Sequence, residues 1–156
     1  MLALVPTPIG VGPRYHPPPA VHGPCVPGPL RGAARVHVEL FANRRVVIVP
    51  AAIGLRDARF DLGRVAGAHC RARLWTTDPS GVVSFTGRQR LGDLFEVWGL
   101  PIGRMRLASF HGAVSLFRNG LPVRGDPRGL ALRDGDEVVL EIGGFVPPHR
   151  SYRFPP

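Results

Sequence analysis

The sequence contains no lysine, although it has 20 basic residues, because every one of them is arginine. This absence excludes a lysine nucleophile, a Schiff-base lysine and the phosphate-binding lysine of a P-loop. The chain also lacks any apolar run close to the roughly 20 residues that a membrane-spanning helix needs. With 156 residues, 44% of them hydrophobic and 20% charged, it has the length and composition of one soluble domain with a core.

Clustered positive charge is scarce as well, despite a formal net charge of +9. No run of five basic residues occurs; Arg44/Arg45 are adjacent, and pairs such as Arg71/Arg73 are separated by one residue. A nucleic-acid-binding surface would favour a basic stripe interleaved with aromatic residues. The pattern therefore favours arginine as a solubilising residue, and nucleic-acid binding is an alternative rather than the preferred function.

Proline is concentrated at the beginning of the chain, where nine of the 18 prolines fall within the first 30 residues. Because proline lacks an amide donor and has a fixed φ, it cannot enter the interior of a helix or a sheet. We therefore expect residues 1–32 to form a proline-rich arm that is extended or disordered. A single β-rich domain is expected at 33–144, followed by an extended C-terminal tail at 145–156.

The first residues resemble only part of a secretory signal. Residues 1–5 are apolar, but no basic residue precedes them and Pro6 interrupts them. The sequence as written predicts either a cytoplasmic protein or one whose leader lies upstream of Met1.

Alternating hydrophobic residues predict a β-hairpin over residues 36–49. The Gly/Ala/Arg-rich stretch 51–69 has no sustained period and predicts a loop. A second pair of strands is predicted at 71–77 and 82–86. The Asp-Pro-Ser-Gly sequence of residues 78–81 joins them with typical turn chemistry.

One short helix is predicted at 90–99. Four hydrophobic residues fall on one stripe of it: Leu91, Leu94, Phe95 and Trp98. Gly99 suits the left-handed position after the helix, and Pro101 prevents its continuation. This helix should pack its apolar stripe against a sheet.

Three more strands are predicted after the helix, at 113–117, 121–123 and 137–142, with Asn119-Gly120 joining the first two. The order of elements from residue 71, and the Leu-x-Asp-Gly-Asp-Glu-Val lead-in to the last strand, resemble a β-grasp (ubiquitin-like) domain. The predicted fold class is α+β, with a β-grasp-type mixed sheet, one helix, and the hairpin 36–49 extending or covering the sheet. A small β-sandwich with one crossover helix is the alternative.

Cys25 and Cys70 are the only thiols. A disulfide between them would tie the arm to the domain and close a loop of about 45 residues, worth roughly 2–4 kcal/mol in an oxidising compartment. A metal site formed by both cysteines with His22 and His69 is a second alternative, although adjacent strand residues rarely point at one ion. Two free thiols are the third.

Catalytic constellations are not evident. None of the serines lies in Gly-x-Ser-x-Gly, and no histidine has an aspartate spaced to orient it. The Gly-rich segments lack the strand-to-helix context that binds phosphate. The sequence therefore predicts a protein that is not an enzyme and uses no cofactor.

The stretch between His37 and Trp98 resembles an uncharacterised family of bacterial exported proteins of actinobacterial type. Members have His-x-His, Leu-His-Thr-His-Asp and Leu-Gly-x-Phe-Phe-x-x-Trp-Gly motifs. The chain retains the following family positions: His37, Asn43, Val49-Pro50-Ala51-Ala52-Ile53-Gly54, Cys70, Leu74, Asp78, Gly81-Val82-Val83 and Leu91-Gly92-Asp93-Leu94-Phe95-Glu96-Val97-Trp98-Gly99.

The resemblance implies export, an oxidised Cys70 and, from the family's histidines, a divalent-metal site. Most of these histidines are replaced here, by Arg35, Trp75, Thr77 and Ser84. Of the possible ligands, His37 and Asp78 are retained as weak candidates. The resemblance therefore makes metal binding an alternative function through a degenerate site.

The preferred expectation is a non-catalytic binding or interaction module of the cell envelope or exterior, with an unidentified protein or envelope partner. A cytoplasmic location is the alternative. Five aromatic residues are expected to be exposed or to anchor the tail, and are candidate contacts: Phe41, Trp75, Phe85, Tyr152 and Phe154.

Overall fold

The structure is a computed structural model that describes residues 16–19, 21, 24–31 and 33–156. The remaining positions all belong to the predicted arm and lie outside the described residues. The described part of the chain forms one α-helix, α1 (Leu91–Trp98), and one 3₁₀ turn, Pro127–Gly129. Its strands are β1 (Ala34–Ala42), β2 (Arg45–Val47), β3 (Leu55–Arg56), β4 (Arg59–Asp61), β5 (Arg64–Gly67), β6 (Cys70–Arg71), β7 (Leu74–Trp75), β8 (Val82–Phe85), β9 (Ile102–Gly103), β10 (Arg106–Leu107), β11 (Phe110–His111), β12 (Val114–Arg118), β13 (Leu121–Val123) and β14 (Glu137–Ile142).

A seven-stranded mixed sheet organises the domain, in the order β13-β12-β14-β1-β8-β7, with β2 also paired to β1. The central strands β1 and β14 are parallel, in a register that places His37 beside Glu137. The opposite edge of β1 is shared, because β8 pairs with its first half and β2 with its second half. The expected α+β class, a mixed sheet with one short helix, is thereby confirmed.

Helix α1 packs on one face of this sheet, as its apolar stripe predicts. Its four stripe residues are all buried, with Leu91 and Leu94 fully so. They meet the alternate residues of the central strands, including Val36, Val38 and Leu140. Burying each such side chain is worth about 1.5–3 kcal/mol, so this layer is the main core of the domain.

The ends of α1 also follow the sequence. At its start the backbone N–H of Arg90 donates to Asp93 at 2.7 Å, which satisfies one of the amides that a helix terminus leaves free. Gly99 takes the left-handed conformation with φ 80° and ends the helix. The predicted helix is therefore present, one residue shorter at each end than the predicted range 90–99.

The last hairpin and last strand also match their predictions. Strand β14 covers the predicted 137–142, and β12 and β13 are joined by Asn119-Gly120 at positive φ values of 51° and 80°. Both turn residues in the left-handed region are typical of the type I′ turn that Asn-Gly favours.

The predicted role of the hairpin 36–49 was wrong. Its first strand, β1, does not extend or cover a sheet formed by later residues, because it is the central strand of that sheet. The sequence showed that β1 was a strand, but its parallel pairing with β14 joins residues about a hundred positions apart. Such a long-range pairing leaves no local signal.

Two stretches without predicted strands contain short ones. The expected loop 51–69 includes β3 and the hairpin β4–β5, and residues 102–111 form the small antiparallel sheet β9–β10–β11. Every residue of β4 is exposed. With no buried face to impose alternation, this hairpin carries no period-two signal.

The described part of the N-terminal arm is extended and bonded to the domain. Cys25 and Cys70 form the expected disulfide, with their Cα atoms 5.4 Å apart. Val26 exchanges backbone hydrogen bonds with Arg71, and the indole N–H of Trp98 donates to the carbonyl of His16 at 2.9 Å. These contacts tie the described arm residues to the domain.

The disulfide also decides between the alternatives for the two cysteines. The two sulfur atoms are bonded to each other. The alternative of a metal site with His22 and His69 was therefore wrong, and so was the alternative of two free thiols. Of the two histidines, His69 is exposed, and His22 lies outside the described residues.

Among the described residues, no helix has the length and apolar character needed to cross a membrane.

Candidate functional site

The C-terminal tail (residues 145–156) crosses the face of the sheet opposite α1, as the contacts along its length show. Near its start, the N–H of Val146 donates to a carboxylate oxygen of Glu141 at 3.0 Å. Near its end, the Arg35 guanidinium donates to the carbonyl of Pro155 at 2.7 Å and lies 5.2 Å from the ring centre of Phe154. The tail has no regular secondary structure, so these side-chain contacts hold it in place.

Four polar residues meet beneath and beside the tail, and we call them the polar cluster: His37, Glu39, Glu137 and His149. His37 and Glu39 are two residues apart on β1, so they lie on the same face. The parallel register brings Glu137 of β14 beside His37, and the tail adds His149. Three separate segments of the chain therefore build the cluster.

The centre of the cluster is the hydrogen bond between His37 Nδ1 and Glu137 Oε2, 2.7 Å long. His37 Nε2 lies 2.7 Å from the carbonyl oxygen of Ser80. A carbonyl can only accept, so Nε2 carries a proton and donates it. Nδ1 therefore faces the carboxylate and either shares a proton with it or is available as a ligand.

The ionisation of this pair is shifted by its burial. Burial alone would lower the pKa of His37, but the hydrogen bond and charge of Glu137 outweigh it, so the pKa is raised. Burial raises the pKa of Glu137, against the opposing effect of His37. Both groups therefore keep a proton to a higher pH than they would in water. Such a shift is typical of an imidazole and a carboxylate that share one proton.

One oxygen of the pair has no partner among the described residues. Oε1 of Glu137 is buried, in a residue only 1% exposed, and makes no hydrogen bond to them. A buried carboxylate oxygen without a donor is costly. Single ligand atoms of His37, Glu39 and Glu137 all lie within 4.8 Å of one another, so the three side chains could hold one cation.

A pocket of about 130 Å³ borders the polar cluster. It lies where β1 passes between the ends of β2 and β8, and both His37 and Glu39 line it. Two of the four cluster residues thus border this pocket.

The structure separates the two residues that the sequence retained as metal candidates. His37 is at the centre of the polar cluster, whereas Asp78 accepts hydrogen bonds from Ser80 and lies 3.4 Å from Arg64. Of the two weak candidates, only His37 belongs to a group of side chains able to hold an ion, and its companions there are two glutamates.

The five aromatic contact candidates differ in burial and in location. Trp75 and Phe85 are 0% and 4% exposed, so the expectation that they are exposed contact residues was wrong. Trp75 is covered by the arm, since its indole N–H donates to Leu30 and Arg71 stacks on its ring 4.3 Å from the centre. Phe41 lines the pocket, and Tyr152 and Phe154 anchor the tail.

Sequence reasoning missed Glu39, Glu137 and His149. Glu39 carried a signal in the sequence, because it is two residues from His37 in β1 and so lies on the same face of the strand. Glu137 and His149 carried none, since their proximity depends on the β1–β14 register and on the course of the tail.

Comparison with protein-family models, with curated proteins and with solved structures finds no match. The resemblance noted in the sequence therefore stays a prediction.

Proposed function

We propose that this protein is a non-catalytic binding protein whose ligand is one divalent transition-metal ion, held by His37 Nδ1, Glu39 and Glu137. The observation that carries the proposal is the buried, unpartnered Oε1 of Glu137, which belongs to a cluster of three side chains able to ligate one ion.

The charge of the cluster supports a divalent ion. Two carboxylates neutralise a 2+ charge, so the loaded site is neutral where an unpaired buried charge would be costly. At present the carboxylate of Glu137 has one imidazole as its partner. A cation that replaces the proton between His37 and Glu137 would add a second positive partner for this buried carboxylate.

The second nitrogen of His37 supports the same conclusion. Imidazole ligands of metals usually donate their other N–H to a carbonyl or carboxylate, which fixes the ring and its tautomer. His37 Nε2 already does so through Ser80. The ring is therefore held with Nδ1 directed to the carboxylates before any ion binds.

The donor types favour a particular group of metals. An imidazole with carboxylates suits Zn²⁺, Ni²⁺, Co²⁺ or Cu²⁺, whereas Mg²⁺ and Ca²⁺ favour all-oxygen sites. Zinc bonds of about 2.1 Å place tetrahedral ligand atoms about 3.4 Å apart. Loading thus requires a modest contraction of atoms that already lie within 4.8 Å.

Isothermal titration with Zn²⁺ tests the proposal. We expect one ion per chain, with protons released because the ion displaces the one shared by His37 and Glu137. Glu137→Gln should weaken binding by at least about tenfold. Glu141→Gln is the matched control, because Glu141 is equally buried on the same strand but outside the cluster. Equal affinity for both variants would refute the site.

The proposal includes the wider role expected from the sequence, a module of the cell envelope or exterior. The Cys25–Cys70 disulfide supports it, since such bonds persist in oxidising compartments. The redox state of the two cysteines in protein recovered from its native cells is the test. Two thiols that react without reductant would contradict an exported protein.

We further propose that the sheet is of the β-grasp type. The support is the central parallel pair β1–β14 with a single helix packed across one face. This arrangement differs from the predicted one, because β1 rather than a strand after residue 71 occupies the centre.

A further inference from the structure

His149 is the one member of the polar cluster that lies outside the sheet. Its Nδ1 is 2.8 Å from Oε2 of Glu39, and its side chain is two-thirds exposed, at 66%. The hydrogen bond to Glu39 raises the pKa of His149 above its ordinary value. The tail therefore brings a second imidazole to a carboxylate that also faces His37.

The tail around His149 is held on both sides. Three residues before it, Val146 is bonded to Glu141. Three residues after it, the ring of Tyr152 stacks on His37. The imidazole is therefore kept beside Glu39, and its side-chain torsions are what can turn it toward an ion.

We propose that His149 is the fourth protein ligand of the metal ion, so that the ion is bound between the sheet and the C-terminal tail. This inference rests on the proposed metal site at His37, Glu39 and Glu137. Four-coordinate zinc sites are closed by nitrogen, sulfur or oxygen donors. A neutral imidazole completes the set without disturbing the balance between a 2+ ion and two carboxylates.

The ion takes the place of two protons in this arrangement. One now lies between His37 and Glu137, and the other between His149 and Glu39. The second imidazole strengthens the same preference, because two nitrogen donors favour Zn²⁺, Ni²⁺, Co²⁺ and Cu²⁺ over Mg²⁺ and Ca²⁺.

A metal-ligating residue on the tail couples metal binding to tail docking, so that each stabilises the other. An ion that binds only when the tail is docked stabilises the docked tail, and loss of the tail contact weakens binding by the same factor. The tail would then be fastened by the metal in addition to its contacts with Arg35 and Glu141.

Limited proteolysis of the full chain with trypsin reads out tail docking directly. The tail contains Arg150 and Arg153, both exposed and flanking the cluster, while Arg64 in the β4–β5 hairpin is an exposed internal control. At free Zn²⁺ about ten times the dissociation constant, cleavage at the tail sites should slow by up to about tenfold. Cleavage at Arg64 should not change.

The variant His149→Ala tests the ligand itself, with His111→Ala, another exposed histidine, as its matched control. We expect the first to lower Zn²⁺ affinity by about tenfold or more and to remove the tail protection. In the Co²⁺ form, it should also reduce the intense visible absorption of a four-coordinate site. His111→Ala should behave as the wild type in all three measurements.

The outcomes separate the two proposals. If His149→Ala binds Zn²⁺ as tightly as the wild type, or if Zn²⁺ does not protect Arg150 and Arg153, His149 is not a ligand, while the three-residue site stands. If the wild type binds no Zn²⁺, Ni²⁺ or Co²⁺, the metal site itself is refuted and the role of His149 with it.

Discussion

The ring of Tyr152 lies parallel to the ring of His37, with centroids 3.6 Å apart and an angle of 5° between the planes. This stack joins the C-terminal tail to the central strand of the sheet. It also covers the imidazole whose nitrogens are bonded to Glu137 and Ser80. The residue that anchors the tail thus shields the centre of the polar cluster.

Removal of the stacked ring should loosen the tail. Aromatic pairs contribute about 0.5–1.5 kcal/mol beyond the area they bury, so Tyr152→Ala should raise trypsin cleavage at Arg150 by roughly tenfold or less, since about 1.4 kcal/mol corresponds to tenfold. Tyr152→Phe retains the ring and is expected to cleave like the wild type. Similar rates for the alanine variant and the wild type would show that the stack does not hold the tail.

The buried carboxyl of Glu141 should make stability fall as pH rises. Burial raises its pKa above the ordinary 4.5, against the opposing bond from Val146. The unfolded chain then loses this proton at lower pH than the folded chain, so the folded state loses relative stability as pH rises above about 4.5.

The variant Glu141→Gln isolates this effect, because the amide stays neutral and still accepts from the N–H of Val146. Relative to wild type, it should gain stability between about pH 4 and pH 7, by about 1.4 kcal/mol for each unit of pKa shift. Urea unfolding at both pH values measures the difference. Glu96→Gln, at an exposed helix position, should show no such trend.

The disulfide should contribute strongly to stability. It links residues 45 positions apart, and a loop of that size is worth roughly 3–4 kcal/mol in the chain-entropy model. Replacing both cysteines by serine should lower the free energy of unfolding by about this amount. Addition of reductant should destabilise the wild type and leave the double variant unchanged, which thermal unfolding can measure.

Trp75 should behave as a core residue. Its full burial predicts that Trp75→Ala costs about 3–5 kcal/mol. Phe60, an aromatic residue that is 58% exposed on β4, is the control, and Phe60→Ala should change stability by about 0.5 kcal/mol or less. Equal effects of the two substitutions in chemical denaturation would contradict the burial of Trp75.

Local elements were largely predictable because their signals lie within a few residues. The helix followed from four apolar residues at helical spacing, and the hairpin β12–β13 from Asn119-Gly120. The disulfide was one of three alternatives, and the structure selected it. The exposed hairpin β4–β5 was missed because strands without a buried face carry no alternation.

The candidate site was predictable only in part. His37 was retained as a weak candidate through the family resemblance, but neither of the two glutamates beside it was predicted. Its true neighbours are set by the register of parallel strands and by a tail without secondary structure. Sequence spacing cannot convey such contacts, because they join positions about a hundred residues apart.

The sequence by itself determined the absence of lysine chemistry, the proline-rich beginning, the single amphipathic helix and the strands before and after it. Those features depend on side-chain chemistry and short-range periodicity. Only the tertiary structure decided that β1 lies at the centre of the sheet, that Trp75 is buried, that two glutamates adjoin His37, and that a second histidine is bonded to Glu39. The physical reason is that strand register and the docking of the tail depend on the free energy of the whole assembled core rather than on any local pattern.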